Sequence, residues 1–338
     1  MLAVVKSQPA PGVEVTDVPK PSPKSGEVLI KVHYASICGT DIGIYDWIPW
    51  VQTYITPPVI LGHEVVGEIV EINADSTVTS LKIGDMVSSE THIFDGTCHQ
   101  CQIDNRHICE NMMFFGMARD GGFAEFATIP IRTTWKNDIR IPAKAMSVQE
   151  PLGNSVHAVT KADVKNKRVL IIGLGPTGLC AAAVAKAYGA KHVTGIDPTA
   201  YRRKLTEDFS GAETLERLPE DRFGTYDSVI EMSGSTVGIQ NAFDAVRIGG
   251  TVVAFGIPKQ KIELDWGAYL INKELTIQSV YGRRIWETWH QTSELLTSGA
   301  IDLTKIITHE FALADFEEAM KVMKSGECGK VLLNVIGA

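Results

Sequence analysis

The sequence predicts an α/β protein in which a β-rich N-terminal half precedes a doubly wound parallel sheet. Residues 26–37 alternate between apolar and polar side chains, and residues 63–72 are rich in β-branched ones, as strands are. A strand, a glycine turn, an alanine-rich helix and a second strand follow one another over 167–197. Short apolar strands separated by helical segments then recur as far as residue 282, which is typical of a parallel sheet with helices on both faces.

The character of the chain changes near Pro151, so the predicted domains are residues 1–150 and 151–290. The 338 residues are enough for two hydrophobic cores. The remaining segment, 291–338, contains two helical stretches and two extended ones and is too short for a core of its own. We expect it to complete the first domain, which makes the second domain an insertion.

Composition argues against several classes of function. A formal charge of −8 and a pI near 5.6 argue against a nucleic-acid partner or an anionic membrane surface. The first residues contain no apolar signal core, and no apolar run approaches the roughly 18 residues of a membrane span. We therefore expect a cytoplasmic protein that acts on a small molecule and does not bind membranes. In that compartment, clustered cysteines favour metal ligation over disulfides.

A G-x-G-x-x-G motif follows directly after a predicted strand and opens a helix, and Asp197 ends the next strand. This context predicts a dinucleotide site, with the phosphates at the positive N-terminus of the helix. Asp197 should accept hydrogen bonds from ribose hydroxyls, which favours NAD over NADP. Arg202 and Arg203 leave NADP open, because an arginine can bind a 2′-phosphate. The glycines are Gly173 for the tight turn, Gly175 for the approach of the pyrophosphate and Gly178 for close helix packing.

Four residues with metal-binding side chains lie at predicted element ends. Cys38 follows a strand, His63 and Glu64 begin another, and Glu150 lies next to the domain boundary. A catalytic zinc needs about three ligands of mixed thiolate, imidazole and carboxylate type, plus one open position. Such an ion stabilises the deprotonated form of an alcohol, whose carbon then readily donates a hydride to a nicotinamide. Together the metal and dinucleotide sites predict alcohol oxidation.

Over nearly its whole length the sequence resembles the zinc-dependent medium-chain alcohol dehydrogenases, and most closely their threonine-oxidising branch. "CGTD" (38–41), "GHE" (62–64) and the glycine motif mark the superfamily. The segment with Trp47 and Trp50, "YGRRIWETW" (281–289) and "IITHEF" (306–311) indicate the branch. The resemblance implies a GroES-like β-barrel for the first domain, a Rossmann fold for the second, NAD and zinc as cofactors, and a homotetramer.

The resemblance also implies roles for individual residues. The expected reaction is oxidation of a secondary alcohol, the 3-hydroxyl of L-threonine, to give 2-amino-3-oxobutanoate. Glu150 is either a fourth, exchangeable metal ligand or part of proton handling. The catalytic zinc ligands are Cys38, His63 and Glu64, the hydroxyl relay is Thr40, and the histidine beside the substrate pocket is His92. The NAD contacts are Thr177, Asp197, Arg202, Phe255, Gly256, Ile257, Val280 and Tyr281, together with the three glycines.

The family also carries a structural zinc held by four cysteines. Three of those positions are Cys98, Cys101 and Cys109 here, and the first is Asp95. A carboxylate oxygen can coordinate zinc, although as a harder ligand it should bind the ion less tightly than a thiolate does. We expect a zinc held by one aspartate and three cysteines that stiffens a loop. A loop without metal, or three cysteines that remain thiols, are the alternatives.

Gly43 also departs from the family pattern, since the family has a histidine there that continues the relay from Thr40. Glycine cannot accept a proton, so the relay must continue through water, His92 or another group. Together with Asp95, this departure keeps a polyol or sugar dehydrogenase of the same fold open as an alternative function. A non-catalytic dinucleotide-binding protein is the alternative of another class, and the complete set of metal-binding residues argues against it.

Overall fold

A computed structural model describes residues 1–74 and 79–336 of the chain. These residues form two compact units. The first contains residues 1–150, 285–297 and the segment from Asp302 onward, and the second contains residues 151–284 and 298–301. The domain ranges predicted from sequence also include residues 75–78 and 337–338, which lie outside the described residues.

The first unit is built mainly of strands. Its strands are β1 (Leu2–Lys6), β2 (Glu14–Asp17), β3 (Glu27–Ser36), β4 (Val59–Ile60), β5 (Glu64–Asn73), β6 (Met86–Ser89), β7 (His92–Ile93), β8 (Met113–Phe114), β9 (Phe126–Pro130), β10 (Thr134–Lys136), β17 (Ile307–Ala312) and β18 (Lys330–Asn334). Its helices are α1 (Gly39–Asp46), α2 (His99–Gln102), α3 (Ala143–Met146), α8 (Glu287–Thr297) and α9 (Phe316–Ser325). Helix α4 (Gln149–Ala162) begins at the end of the first unit and continues in the second.

Strand β3 organises the largest sheet of the first unit, in the order β10-β6-β5-β3-β18-β17 with β9 also paired to β3. Its alternating sequence lets one set of side chains enter the core. Strands β3 and β5 are antiparallel, and their register places Ser36 opposite Glu64. This pairing brings the loop after β3 next to the start of β5, where the candidate metal ligands lie.

The C-terminal segment belongs to this same sheet. Strand β18 pairs antiparallel with β3, and β17 pairs parallel with β18. The core of the unit therefore combines side chains from both ends of the chain, among them Ile30, Ile69, Phe123, Phe316 and Leu333.

The boundary after the second unit lies at residue 284 rather than at the predicted 290. Aromatic packing explains the difference. Trp135 of the first unit stacks on Trp286 with ring centroids 5.7 Å apart and packs against Trp289 at 5.5 Å. The start of α8 is therefore held in the first unit by contacts that its local sequence pattern does not show.

The second unit contains a six-stranded parallel sheet in the order β13-β12-β11-β14-β15-β16. This is the strand order of doubly wound dinucleotide-binding domains, which bind their ligands at the carboxyl ends of the strands. The strands are β11 (Arg168–Ile172), β12 (His192–Ile196), β13 (Glu213–Leu215), β14 (Tyr226–Glu231), β15 (Val246–Ala254) and β16 (Thr276–Ser279). The helices are α5 (Pro176–Ala187), α6 (Ala200–Ser210) and α7 (Thr236–Ala245). Among the described residues, no helix combines the length and the apolar character that crossing a membrane requires.

Candidate metal and nucleotide sites

The first candidate metal site lies at the paired ends of β3 and β5. Cys38 follows β3 and precedes helix α1, while His63 and Glu64 lie at the start of β5. The potential ligand atoms of these three residues all lie within 4.8 Å of one another. The structure thus brings together the thiolate, imidazole and carboxylate that the sequence predicted. Their role as zinc ligands stays a prediction.

The electrostatics of this cluster fit a divalent cation. Asp41 is fully buried, and its Oδ1 lies 3.9 Å from Nδ1 of His63, too far for a hydrogen bond. Neither atom has a hydrogen-bond partner among the described residues. Burial alone lowers the pKa of His63, but the negative charges of Asp41 and Cys38 outweigh it and raise the pKa to about 10. A site that attracts a proton this strongly suits a metal ion, which competes with protons for the same atoms.

Glu64 already has a positive partner in the structure. Its Oε2 accepts hydrogen bonds from the ammonium group of Lys330 and from the hydroxyl of Ser36. Lys330 is buried and also donates to the carbonyl oxygen of Ile37 at 2.9 Å. Burial lowers the pKa of Lys330, but the charges of Glu64 and Cys38 outweigh this effect and raise it. As a ligand, Glu64 would have to share its carboxylate between a metal ion and Lys330.

The remaining predicted catalytic residues lie in the same unit. Glu150 is buried, but it is not one of the three residues of the cluster, and its Oε1 accepts a 2.5 Å hydrogen bond from Thr91. The hydroxyl of Thr40 lies 3.7 Å from the sulfur of Cys38, and its role as a proton relay stays a prediction. His92 is buried in β7.

Gly43 lies in helix α1. A Cβ atom added there would lie 3.1 Å from Cδ1 of Ile48 and 3.6 Å from Cγ1 of Val51. A histidine at this position would therefore require Ile48 to move. Local packing is thus adapted to the glycine that interrupts the family's relay.

The second candidate metal site consists of Asp95, Cys98, Cys101 and Cys109, whose potential ligand atoms lie within 4.8 Å of one another. Two backbone N–H groups point at its sulfurs. That of Asp95 donates to Cys109 at 3.3 Å, and that of Glu110 donates to Cys98 at 3.4 Å. The four residues lie close together, so the predicted donor set is geometrically able to hold one ion.

The carboxylate of Asp95 is held in place by its neighbours. Its Oδ2 accepts a 2.6 Å hydrogen bond from Asn111, and its Oδ1 accepts from the backbone N–H groups of Thr97 and Cys98 at 2.8 and 3.1 Å. These bonds, that from Asn111 most strongly, lower the pKa of Asp95 far below its ordinary value. Asp95 is therefore an ionised, oriented acceptor. Its Oδ1 already accepts two hydrogen bonds, whereas its Oδ2 accepts one and retains a second lone pair for a metal.

The nucleotide motif lies between β11 and α5. Gly173 has a φ of +91°, and a Cβ atom there would lie 2.8 Å from the backbone nitrogen of Ser233. A Cβ atom at Gly178 would lie only 1.8 Å from the carbonyl oxygen of Gly173. In contrast, nothing lies within 4 Å of a Cβ atom at Gly175. The space above Gly175 is thus open, as the approach of a pyrophosphate requires.

Asp197 lies at the end of β12 and is buried. Its Oδ2 accepts a 2.9 Å hydrogen bond from the N–H of Leu174, and its Oδ1 accepts one of 2.8 Å from Thr199. Arg202 lies 3.7 Å from Oδ2. These contacts orient Asp197 beside the glycine turn and place a cation near it, so the preference for NAD over NADP stays a prediction.

The other predicted NAD contacts lie near the carboxyl ends of the strands. Phe255, Gly256 and Ile257 follow β15, and Ile257 is exposed. Val280 and Tyr281 follow β16, the first buried and the second exposed. Thr177 lies in the first turn of α5, where its carbonyl oxygen accepts a 2.7 Å hydrogen bond from Ser155.

Sequence reasoning missed several residues that shape these sites. Asp41 could have been found, because it is an acid three residues after Cys38. Glu231 could have been suspected at a strand end, where its Oε1 accepts hydrogen bonds from the N–H groups of Ser233 and Gly234 at 2.9 and 3.1 Å. Lys330 gave no signal, since it lies 266 residues from its partner Glu64.

Comparisons with known proteins agree with this geometry. Residues 24–142 match the alcohol dehydrogenase GroES-like domain, and residues 176–298 match the zinc-binding dehydrogenase family. The chain is 42% identical to the L-threonine 3-dehydrogenase of Caldanaerobacter subterraneus subsp. tengcongensis and 41% identical to that of Pyrococcus abyssi, over 98% of each chain. The chain belongs to the zinc-dependent medium-chain alcohol dehydrogenases. The family and the fold class predicted from sequence are confirmed.

Solved structures of several dehydrogenases are similar over nearly the whole chain. Galactitol-1-phosphate dehydrogenase from Escherichia coli has a TM-score of 0.90 at 26% identity, covering 99% of this chain and 100% of that one. A zinc-binding dehydrogenase from Sinorhizobium meliloti 1021 bound to NADP has a TM-score of 0.89 at 27% identity, covering 99% of both chains. An alcohol dehydrogenase from Escherichia coli CFT073 complexed with NADH has a TM-score of 0.88 at 25% identity, again covering 99% of both. The protein is therefore a zinc-dependent dehydrogenase that acts on an alcohol.

The glycine motif yields a paired prediction. Gly178→Ala should destabilise the protein, because its methyl group overlaps the carbonyl oxygen of Gly173, and overpacking of this kind costs about 1–3 kcal/mol or more. Gly175→Ala should unfold like the wild type but bind NADH more weakly, because only the ligand would meet its methyl group. Thermal unfolding without nucleotide and a fluorescence titration with NADH measure the two effects. Wild-type NADH affinity in Gly175→Ala would contradict this assignment.

The aspartate-containing metal site predicts two zinc ions per chain in wild-type protein and one in Asp95→Ala. The reason is that the carboxylate supplies one of only four donors in that cluster. Metal analysis after gel filtration measures the ratio.

Asp95→Cys is the matched variant, and it should retain two ions because it restores a four-thiolate set. A single zinc per wild-type chain, unchanged in Asp95→Ala, would show that the cluster holds no metal.

Proposed function

We propose that this enzyme oxidises the 3-hydroxyl of L-threonine with NAD and produces 2-amino-3-oxobutanoate. The observation that carries the proposal is the identity of 41–42% to L-threonine 3-dehydrogenases over 98% of each chain. The cluster of Cys38, His63 and Glu64 supports the reaction class independently, since its donors suit a catalytic zinc. The carboxylate of Asp197 supports NAD, because it would repel a 2′-phosphate.

When bound, zinc supplies a positive charge that lowers the pKa of a substrate hydroxyl, and NAD accepts the hydride from the carbon that carries this hydroxyl. Cys38 and His63 would hold the ion, and Glu64 would contribute as far as Lys330 allows. Asp41 faces His63 and keeps its environment negative, which favours retention of the cation.

The protein must also remove the proton of the substrate hydroxyl. The hydroxyl of Thr40 lies beside Cys38 and can accept this proton while it passes its own onward. Gly43 offers no side chain for the next step, so we propose that water or His92 continues the path. Glu150, fixed by its hydrogen bond from Thr91, is a second proton acceptor in the same unit.

A polyol or sugar dehydrogenase is the second candidate function. It is favoured by Gly43, which departs from the threonine-oxidising pattern, and by the TM-score of 0.90 to galactitol-1-phosphate dehydrogenase. The identity to that enzyme is 26%, well below the identity to the threonine enzymes, which is why we favour L-threonine.

We also propose that the enzyme is a homotetramer in the cytoplasm. Strand β16 pairs with β15 on one side and with no other strand among the described residues. Ile277 in this strand is exposed, as are Trp266 and Ile271 before it. An open sheet edge with apolar side chains is suited to pairing with a second copy of the chain. The thiols of the two metal clusters, which form no disulfide, are compatible with a reducing compartment.

Initial rates of zinc-loaded protein with NAD and with NADP test the substrate assignment. L-threonine with NAD should give the highest kcat/KM among L-threonine, sorbitol, glucose and 2-butanol. The expected advantage over 2-butanol is about 10⁴-fold, because a site built to hydrogen-bond the amino acid leaves those polar groups unpaired with the plain alcohol.

His63→Ala serves as the control, since it should lose activity with every substrate while the nucleotide domain still binds NADH. Faster turnover of sorbitol or glucose than of L-threonine would overturn the threonine assignment and leave the reaction class intact.

A further inference from the structure

Glu90 is a fully buried carboxylate outside both metal clusters. It lies between β6 and β7, and its backbone N–H donates to the carbonyl oxygen of Thr133 at 2.8 Å. No role was predicted for it from the sequence. A buried carboxylate is costly unless donors surround it, so its partners indicate what it does.

Three nitrogen atoms lie within hydrogen-bond distance of this carboxylate. Its Oε1 lies 2.9 Å from the backbone nitrogen of His92 and 2.9 Å from Nδ1 of the same residue. Its Oε2 accepts a 2.7 Å hydrogen bond from the indole N–H of Trp289. Backbone and indole N–H groups can only donate, so both oxygens of Glu90 act as acceptors. A carboxylate held in this way favours His92 with its proton on Nδ1.

The ring of His92 is also fixed by packing. It meets the ring of Phe114 edge-on, with centroids 5.5 Å apart, and the two residues are paired across β7 and β8. Phe114 in turn packs edge-on against Tyr54 at 5.7 Å, and Tyr54 packs against Trp50 at 5.2 Å. This aromatic row contains Trp50, one of the residues that mark the threonine-oxidising branch. This aromatic row limits rotation of the His92 imidazole. Whether Nε2 of His92 donates or accepts a hydrogen bond therefore depends on which ring nitrogen carries the proton.

The tripeptide 90–92 also links His92 to another predicted catalytic residue. Thr91, between Glu90 and His92, donates a hydroxyl hydrogen bond to Oε1 of the buried Glu150. Neighbouring residues of one short segment thus orient both His92 and Glu150.

We propose that Glu90 is a positioning residue that holds His92 in the tautomer protonated on Nδ1, so that Nε2 offers a lone pair to a hydrogen-bond donor of the alcohol substrate. Trp289 completes this set of hydrogen bonds, because its indole N–H donates to the other carboxylate oxygen of Glu90. The role of His92 towards substrate rests on the proposed function, whereas its tautomer does not. Glu90 itself touches neither substrate nor cofactor in this account.

The imidazole ¹⁵N spectrum of zinc-loaded protein labelled on histidine tests the tautomer directly. The signals of His92 are assigned by their absence in His92→Gln. In wild-type protein at neutral pH, Nδ1 should be protonated and Nε2 should carry the lone pair. An Nε2-protonated or a doubly protonated ring would overturn the proposal, whatever the substrate proves to be.

Two variants test whether Glu90 sets this state. In Glu90→Gln the amide offers one acceptor and one donor, so three N–H groups can no longer all be satisfied. When the amide NH₂ turns towards His92, Nδ1 must accept, and the proton moves to Nε2. We expect a mixture of tautomers and a kcat/KM about 10- to 100-fold lower, by analogy with the loss seen when the partners of metal-ligating histidines are removed.

Trp289→Phe removes the indole N–H, which competes with His92 for the amide oxygen of the Glu90→Gln side chain. This second substitution should therefore restore the Nδ1-protonated form of His92. In Glu90→Gln/Trp289→Phe the amide NH₂ can face the phenyl ring, its oxygen faces His92, and the Nδ1-protonated form should return. The variant Trp289→Phe alone should keep that form throughout. A mixture of tautomers that persists in the double variant would contradict the role assigned to Trp289.

Kinetics separate this inference from the substrate assignment. If His92 binds the substrate equally in the ground and transition states, loss of its orientation raises KM and leaves kcat nearly unchanged. His92→Ala should lower kcat/KM at least as much as Glu90→Gln does, and adding Glu90→Gln to His92→Ala should cause no further loss. Additive losses would overturn the proposal, while failure to oxidise L-threonine with an intact Nδ1-protonated His92 would overturn only the proposed function.

Discussion

The structure depends on a set of charges buried where β3 and β5 meet. Asp41 and Glu64 are buried acids, Cys38 is a potential thiolate ligand, and Lys330 is a buried amine that donates a hydrogen bond to Glu64. Buried charges destabilise a fold unless they are compensated nearby. A divalent cation held by Cys38 and His63 would compensate the acidic groups of this cluster. Without metal, the raised pKa of His63 shows how strongly this region attracts a proton instead.

The fold creates this concentration of charge through strand pairing. The register that sets Ser36 opposite Glu64 carries Cys38 to His63, and the addition of β18 next to β3 brings in Lys330. The hydrogen bonds from Ser36 and Lys330 to Glu64 then fix the carboxylate from two strands at once. The cluster therefore combines residues from both ends of the chain, with Lys330 of the C-terminal segment hydrogen-bonded to the candidate ligand Glu64.

Local patterns in the sequence were sufficient to predict many of the strands and turns and many of the candidate metal ligands. The alternation in 26–37, the β-branched run after His63 and the glycine turn at 173–178 each predicted an element that the structure contains, because periodicity and turn chemistry are local properties. The candidate metal residues were identified by residue type and by resemblance, and the structure brings Cys38, His63 and Glu64 together.

The remaining features depend on contacts distant in sequence. Lys330 and Glu64 are 266 residues apart, and Trp289 and Glu90 are 199 apart, so neither pair leaves a local pattern. Contacts distant in sequence also explain why the second unit ends at residue 284 and not at the predicted residue 290. Trp286 and Trp289 pack on Trp135 and thereby hold α8 in the first unit. Thr91 directly precedes the predicted catalytic residue His92, but only the fold shows that its hydroxyl reaches Glu150.

Anomalous diffraction at the zinc edge, from crystals of zinc-loaded protein, locates the metal relative to these residues. We expect a peak about 2.3 Å from the sulfur of Cys38 and about 2.0–2.1 Å from an imidazole nitrogen of His63. Zinc bound elsewhere in the protein, with no peak between Cys38 and His63, would contradict it.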